Sequence, residues 1–303
     1  MSTNSRIIWS LAALGVVVAA PLSAQRNRGR DDTRTRIDTT FAFGARGTVD
    51  LSAVSGTITV RGGSRDEVKV SATSDHGVLR LESSGSRLTL STRSDHGNGG
   101  DTRYEVTVPT GTRVLARTTS GDITIRGVKG EVEIHSTNGN MKIDDAERVT
   151  FDAISGDVEA TRVTGILTGT TVSGDLKLDG GVGEVDVETV SGEIALTRAR
   201  AKSVRLKSVS GDIDYEGTID AGGRYVFGSH SGRIRLALPD NANVTLSIDT
   251  FNGDVQSDFP MVLNPGERRG RHMEFTIGSG GARLTAETFS GDVEIKKIGR
   301  RER

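Results

Sequence analysis

The sequence predicts an all-β chain wound as a parallel β-solenoid, β-helix-like, of about nine or ten two-stranded rungs, with a more irregular strand region at its N-terminal end. Three observations predict it. The first is a phrase, small-Val-Ser-Gly-acid-apolar in its fullest form, centred on Gly56, Gly121, Gly139, Gly156, Gly174, Gly192, Gly211, Gly232, Gly253 and Gly291. From Gly121 to Gly253 the intervals are 18, 17, 18, 18, 19, 21 and 21 residues, and self-similarity at such a period is the mark of a solenoid. The second is binary patterning. The positions seven and five before each glycine and two and four after it are apolar in every copy except at Gly169 and Ser257, as expected of inward-facing slots on two strands.

The third observation separates parallel rungs from an antiparallel meander. Three residues after the glycine, successive copies carry Lys142, Glu159 and Lys177, then Asp214 and Arg235; four residues before it they carry Arg117, His135 and Asp152, then Glu188 and Lys207. Opposite charges in consecutive copies make sense if those copies are in-register neighbours about 4.8 Å apart. In a meander, equivalent strands are second neighbours, and the alternation has no purpose. The second strand of each rung then serves as the crossover that parallel pairing needs.

Taken in order, residues 1–24 read as a signal peptide. Arg6 supplies the positive region, Ile7–Ala20 the apolar run and Leu22-Ser23-Ala24 the small-residue cleavage site. The apolar run is shorter than the roughly 20 residues a spanning helix needs, and no other segment is long and apolar enough. Residues 25–36 are polar and basic, with Arg26, Arg28, Arg30, Arg34 and Arg36, and read as a flexible linker. One solenoid domain is expected over 37–298, followed by a basic tail, 299–303.

Within the domain, Val68–Val70, Val78–Leu81, Leu88–Leu90 and Tyr104–Val108 alternate with period two between turn residues and form the irregular strands. The position three before every phrase glycine is Ala, Ser or Thr, from Ala53 to Thr288, as if only small side chains fit the corner. Residues 259–271, with Pro260, Pro265 and Gly266, read as a loop inserted in a rung. Tyr225, Phe227, Phe251, Phe275 and Phe289 are expected to thicken and close the C-terminal core. The outward slots are read as flat polar rows without a pocket.

Composition excludes several function classes. There is no cysteine, hence no disulfide, thiolate metal site or lipidated N-terminal Cys. Without Arg6 the mature chain carries 38 basic and 40 acidic residues, a balance that does not describe a nucleic-acid binder. Trp9 lies in the signal, so the mature chain has no tryptophan to stack on sugars.

Two arrangements have the residue types of a metal site. The residue after the glycine is often acidic, as at Asp157, Asp175 and Asp212, and a stacked row of carboxylates suits Ca²⁺. However, each corner offers one carboxylate, and Thr57, Asn140 and Arg233 interrupt the row, so turn capping is the better reading. Ser74-Asp75-His76-Gly77 recurs as Ser94-Asp95-His96-Gly97, and two Asp-His pairs suit a transition metal. With no third cluster beside them they read as turns. No cofactor is expected, and no catalytic constellation is evident.

The repeated V-S-G-D-I phrase, with the Y-x-V-x-V-P-x-G run at Tyr104–Gly111 and A-L-P-D at Ala237–Asp240, resembles the bacterial "putative adhesin" family of exported domains of unknown function, over roughly residues 41–298. The resemblance implies an exported or envelope-facing β-solenoid without catalytic residues. The expected function is a non-catalytic binding or structural module, adhesin-like, periplasmic or secreted, contacting an envelope or extracellular glycan or protein. Self-association through rung edges stays open. The alternatives are a periplasmic accessory of an envelope-stress signalling system, and a polysaccharide-acting β-helix enzyme with its cleft at 258–271.

Overall fold

In the computed structural model, residues 35–93, 101–260 and 272–299 are described. The expected signal peptide, most of the linker, the turn holding Asp95 and His96, the stretch 261–271 and the tail beyond Gly299 lie outside the described residues. All regular elements among the described residues are strands, and no helix there is long and apolar enough to cross a membrane.

The N-terminal region comprises β1 (Thr35–Ala42), β2 (Thr48–Gly63), β3 (Glu67–Ser74), β4 (Val78–Ser83), β5 (Arg87–Arg93) and β6 (Thr102–Pro109). The regular coil continues through β7 (Arg113–Arg126), β8 (Glu131–Asn138), β9 (Met141–Asp144), β10 (Arg148–Ser155), β11 (Val158–Thr161), β12 (Ile166–Ser173), β13 (Leu176–Asp179), β14 (Val182–Ser191) and β15 (Ile194–Ser210). It ends with β16 (Ile213–Gly217), β17 (Arg224–Ser231), β18 (Ile234–Leu238), β19 (Val244–Asn252), β20 (Val255–Ser257), β21 (His272–Ile277), β22 (Ala282–Ser290) and β23 (Val293–Lys297).

Rungs stack in parallel and in register, apart from local shifts at Gly183/Glu184 and between Leu196 and Ala199. Val132 pairs with Val149, Val149 with Leu167, and Leu167 with Val185, so equivalent positions fall side by side. The charges that suggested this arrangement meet across it. Lys142 Nζ lies 2.6 Å from Glu159 Oε2, His135 Nδ1 3.2 Å from Asp152 Oδ2, and Arg235 Nη1 3.6 Å from Asp214 Oδ1. All the inward slots are buried except those of Val255 and Ser257, on the three-residue strand β20 at the end of the coil.

Gly169, the other exception in the pattern, has a packing cause. It pairs with Phe151 of the preceding rung, and a Cβ built on it would stand 2.1 Å from Phe151 Cζ. One ring fills the slots of two rungs.

The phrase glycines form a column in which each backbone lies against the next. A Cβ on Gly192 would come within 2.1 Å of the carbonyl oxygen of Gly174, and its φ of +132° is one L-residues rarely adopt. Beside the column sit the small residues three positions earlier, all buried, with Ser208 Oγ 3.0 Å from where a Gly211 Cβ would be.

The structure departs from simple succession at the C-terminal end. The rung of Gly291 lies between those of Gly232 and Gly253, because β22 pairs in parallel with both β17 and β19. β21 runs antiparallel on the far side of β19 and brings Phe275 into the core. The link from β21 to β22 crosses the start of β19, where Asn243 Oδ1 accepts the Ser279 amide at 2.9 Å. Antiparallel strands also close the other end, β4 against β5 and β1 against β3. A reversed strand at each end of a parallel stack keeps rungs from adding further copies without limit.

Candidate functional site

The corner residues that follow the glycines act on their neighbours' backbones. Asp157 Oδ1 accepts the amide of Asp175 at 2.9 Å, Asp175 Oδ1 that of Glu193 at 3.0 Å, and Asp212 Oδ1 that of Arg233 at 2.8 Å. Asn140 takes part through its own Oδ1, accepting the Asp157 amide at 3.0 Å. The row is thus a ladder of side-chain-to-amide bonds between rungs. Among the described residues no three His, Cys, Asp or Glu side chains are grouped to hold a metal ion. Asp75 and exposed His76 lie at the turn after β3, where the Asp75 amide donates to Asp101 O at 3.1 Å; Asp95 and His96 lie outside the described residues.

Glu193 differs from the rest of the ladder. Glu193 is exposed, but desolvation at the corner raises its carboxyl above the usual glutamate range, and the charges of Asp214, Asp175 and Asp212 push it the same way. A carboxyl whose folded pKa lies above its unfolded value stabilises the fold below the ordinary glutamate range, and that contribution is lost as pH rises through the folded value. Because solvent screens an exposed group, Glu193→Gln is expected to raise the urea midpoint at neutral pH only slightly and to flatten its fall as pH rises above the ordinary glutamate range. An unchanged pH dependence in this variant would show that Glu193 carries no such linkage.

The exposed feature of the coil is the row two residues before each glycine. In spatial order it reads Val54, Thr119, Thr137, Ile154, Val172, Val190, Val209, His230, Phe289 and Phe251. Seven of the ten exposed large apolar side chains among the described residues belong to it, with Ile154 52% and Phe251 53% exposed. Scattered apolar residues need no explanation, but one continuous line of them does. The line ends in stacked rings. His230 lies 4.9 Å from Phe289 at an interplanar angle of 13°, and Phe289 lies 4.7 Å from Phe251 at 5°. Phe251 and Phe289 therefore stand outside the core they were expected to close; Tyr225, Phe227 and Phe275 are buried in it. The difference is one of parity, since an odd offset from the inward slots puts a strand residue on the outer face.

Beside this ridge runs a groove, where a row without a pocket was expected. Its floor is formed at the small residues three before the glycine, and its far wall by the row four before. Over β12, β14, β15, β17, β22 and β19 the groove has a volume of about 900 Å³. A smaller stretch of about 290 Å³ continues toward the N-terminal end beside Arg117, His135 and Asp152.

The wall is polar and mostly paired. Arg117 Nη1 donates to Asp50 Oδ1 at 3.0 Å, Thr170 Oγ1 to Asp152 Oδ1 at 2.7 Å, and Arg205 Nε lies 3.6 Å from Glu188 Oε1. His135 Nε2 meets Glu133 Oε1 at 2.9 Å, and this bond holds the Glu133 carboxyl below the usual range. Asp249 is bonded to His272 Nδ1 at 2.6 Å. Lys207 and Glu287 lie between these groups in the same row.

Other reactive groups are committed elsewhere. Tyr104 is buried, its hydroxyl donates to Ser52 O at 3.1 Å, and burial pushes its pKa up to about 12. Tyr225 hydroxyl donates to Ala201 O at 2.8 Å inside the coil. Asp258, at the edge of the stretch expected to hold an enzymatic cleft, accepts the Lys297 amide at 3.2 Å; residues 261–271 lie outside the described residues. The site is suited to holding a ligand along a line, with apolar contact on one side and hydrogen bonding on the other.

The ridge was present in the sequence as the Val of V-S-G-D. Its signal is the apolar residue at an odd offset, in a slot that alternation assigns to solvent.

Compared with known proteins, the chain matches the family Toastrack DUF4097 over residues 47–296. No curated protein matches it. Similar solved structures include a "putative adhesin" from Bacteroides fragilis, 15% identical, covering 88% of this chain and 100% of that one, with a TM-score of 0.44. Another is a "putative cell adhesion protein" from Clostridium sporogenes, 10% identical, covering 87% and 100%, with a TM-score of 0.26. A "putative lipid binding protein" from Parabacteroides distasonis is 12% identical, covering 87% and 96%, with a TM-score of 0.35. Likeness at that level transfers no partner.

Proposed function

The chain belongs to the Toastrack DUF4097 family, and from that premise we propose that it is an exported, non-catalytic binding module whose contact surface is the ridge and groove along one face of the solenoid. The partner is an extended envelope or extracellular polymer, glycan or protein, and the protein acts in the periplasm or after secretion. The observation that carries this reading is the row from Ile154 to Phe251, apolar at every rung but that of His230, beside a groove of about 900 Å³. A line of shallow contacts, one per rung, supports multivalent binding to a repeating chain, in which weak single contacts combine.

Retention of the mature protein, residues 25–303, on envelope fractions tests the reading. Wild type is expected to be retained, and the double substitution Phe251→Ser, Phe289→Ser to bind about thirtyfold more weakly, the ~2 kcal/mol of a hot-spot aromatic. Because both side chains are exposed, the variant is expected to melt as wild type does. Retention unaffected by the double substitution removes the ridge as the contact surface. No retention of wild type by any fraction favours the accessory role in envelope-stress signalling over adhesion.

A further inference from the structure

The groove changes character at Gly228. Lys207 of β15 is in register with Gly228 of β17, and Gly228 with Glu287 of β22. Two charged side chains thus flank a position that has none, with their Cα atoms about 10 Å apart at two strand spacings. Neither Lys207 nor Glu287 takes part in an ion pair or a side-chain hydrogen bond among the described residues. Their neighbours Glu188 and Asp249 are held by Arg205 and His272. The gap has room. A Cβ at Gly228 would meet only Lys207 Cγ, at 3.6 Å.

On the ridge side of the gap stand the stacked rings. Phe289 has His230 on one face and Phe251 on the other, so its edge is what it offers a ligand. Ring edges carry the positive rim of the aromatic quadrupole. Together with the Lys207 ammonium they favour an anionic group. Glu287, as a carboxylate, only accepts hydrogen bonds and needs donors from the ligand.

A hydroxylated acid meets both demands at once. Its carboxylate pairs with Lys207 and faces the ring edges, its hydroxyls donate to Glu287, and the apolar CH face of its ring lies against Val209. An acidic peptide would bring carboxylates toward Glu188, Glu287 and Asp249 without hydroxyl donors. An acyl chain gains nothing from either charge.

We propose that the gap at Gly228 is a subsite for an acidic sugar ring, a uronic acid unit of an envelope or extracellular glycan, held by Lys207 and Glu287 against the His230–Phe289–Phe251 stack. The proposal rests on the groove being the contact surface and names the class of ligand it selects.

The test is calorimetric titration of residues 25–303 with a β-1,4-linked hexamannuronate and with β-1,4-linked mannohexaose, which share a backbone and differ in the carboxylate. The uronate is expected to bind at least tenfold more tightly, as a charge-assisted hydrogen bond provides. Lys207→Gln brings the ratio to about one. Gly228→Leu fills the gap and weakens both. Equal affinity for the two oligosaccharides, or a preference that survives Lys207→Gln, overturns the proposal. Binding of neither, while envelope retention still depends on Phe251 and Phe289, overturns the acidic-sugar subsite and leaves the groove as contact surface. Retention that ignores those rings overturns the underlying reading instead.

Discussion

Gly192→Ala is expected to lower the thermal midpoint by roughly 10 °C, a loss of about 3–5 kcal/mol in a chain of this size. Two effects combine at this position. The backbone holds φ at +132°, where an L-residue is strained by about 1–3 kcal/mol. The added Cβ also meets the Gly174 carbonyl oxygen at 2.1 Å, which is backbone in the adjacent rung and cannot rotate away. The relief must come from separating two rungs, which weakens the ladder between Asp175 and Glu193 as well. Gly228→Ala is the control, because its Cβ has ordinary contact only and alanine in place of glycine within a strand is expected to add about 0.5–1 kcal/mol. If the two variants melt together, the glycine column is not what sets the corner.

Phe151 and Gly169 are expected to behave as one unit in a double-mutant cycle. Phe151→Ala empties the space of a fully buried ring and is expected to cost about 3–5 kcal/mol. Gly169→Ala forces a methyl to 2.1 Å from the ring and is expected to cost about 1–3 kcal/mol or more. In the double variant the methyl enters the space that the ring has left. Its loss is expected to fall short of the sum of the single losses by about 2 kcal/mol, measured by urea denaturation. Simple additivity would mean that the two rungs relax independently, contrary to their pairing across β10 and β12.

The fold was legible because a repeat writes the same physical demand many times. One V-S-G-D-I phrase says little, but inward slots that are apolar from Val49 to Ile295 at all but Gly169 and Ser257 leave few ways to err. The parallel register followed from charges such as Lys142 and Glu159, which make sense only as immediate neighbours. The candidate site was less legible. Val172, Val190 and Val209 are ordinary strand residues by composition, and only their offset from the buried slots marks them as exposed. Phe251 and Phe289 were drawn into the expected core by their chemistry, whereas the parity of the strand places them outside it.

Sequence by itself determined the solenoid, its period, the direction of strand pairing and the need for glycine and a small residue at each corner. These are local rules, repeated in every rung, and they act between residues whose separation is one period. Tertiary structure alone decided the order of the last rungs, where β22 and β23 enter between β17–β18 and β19–β20. Each of those strands carries the same inward pattern and pairs equally well with several neighbours, so periodicity cannot rank them. The insertion also builds the site. It brings Phe289 between His230 and Phe251, and Glu287 beside Gly228, joining residues from rungs that are not consecutive in the chain. Such a surface is set by which strands stack, a choice made by the whole packed end of the coil.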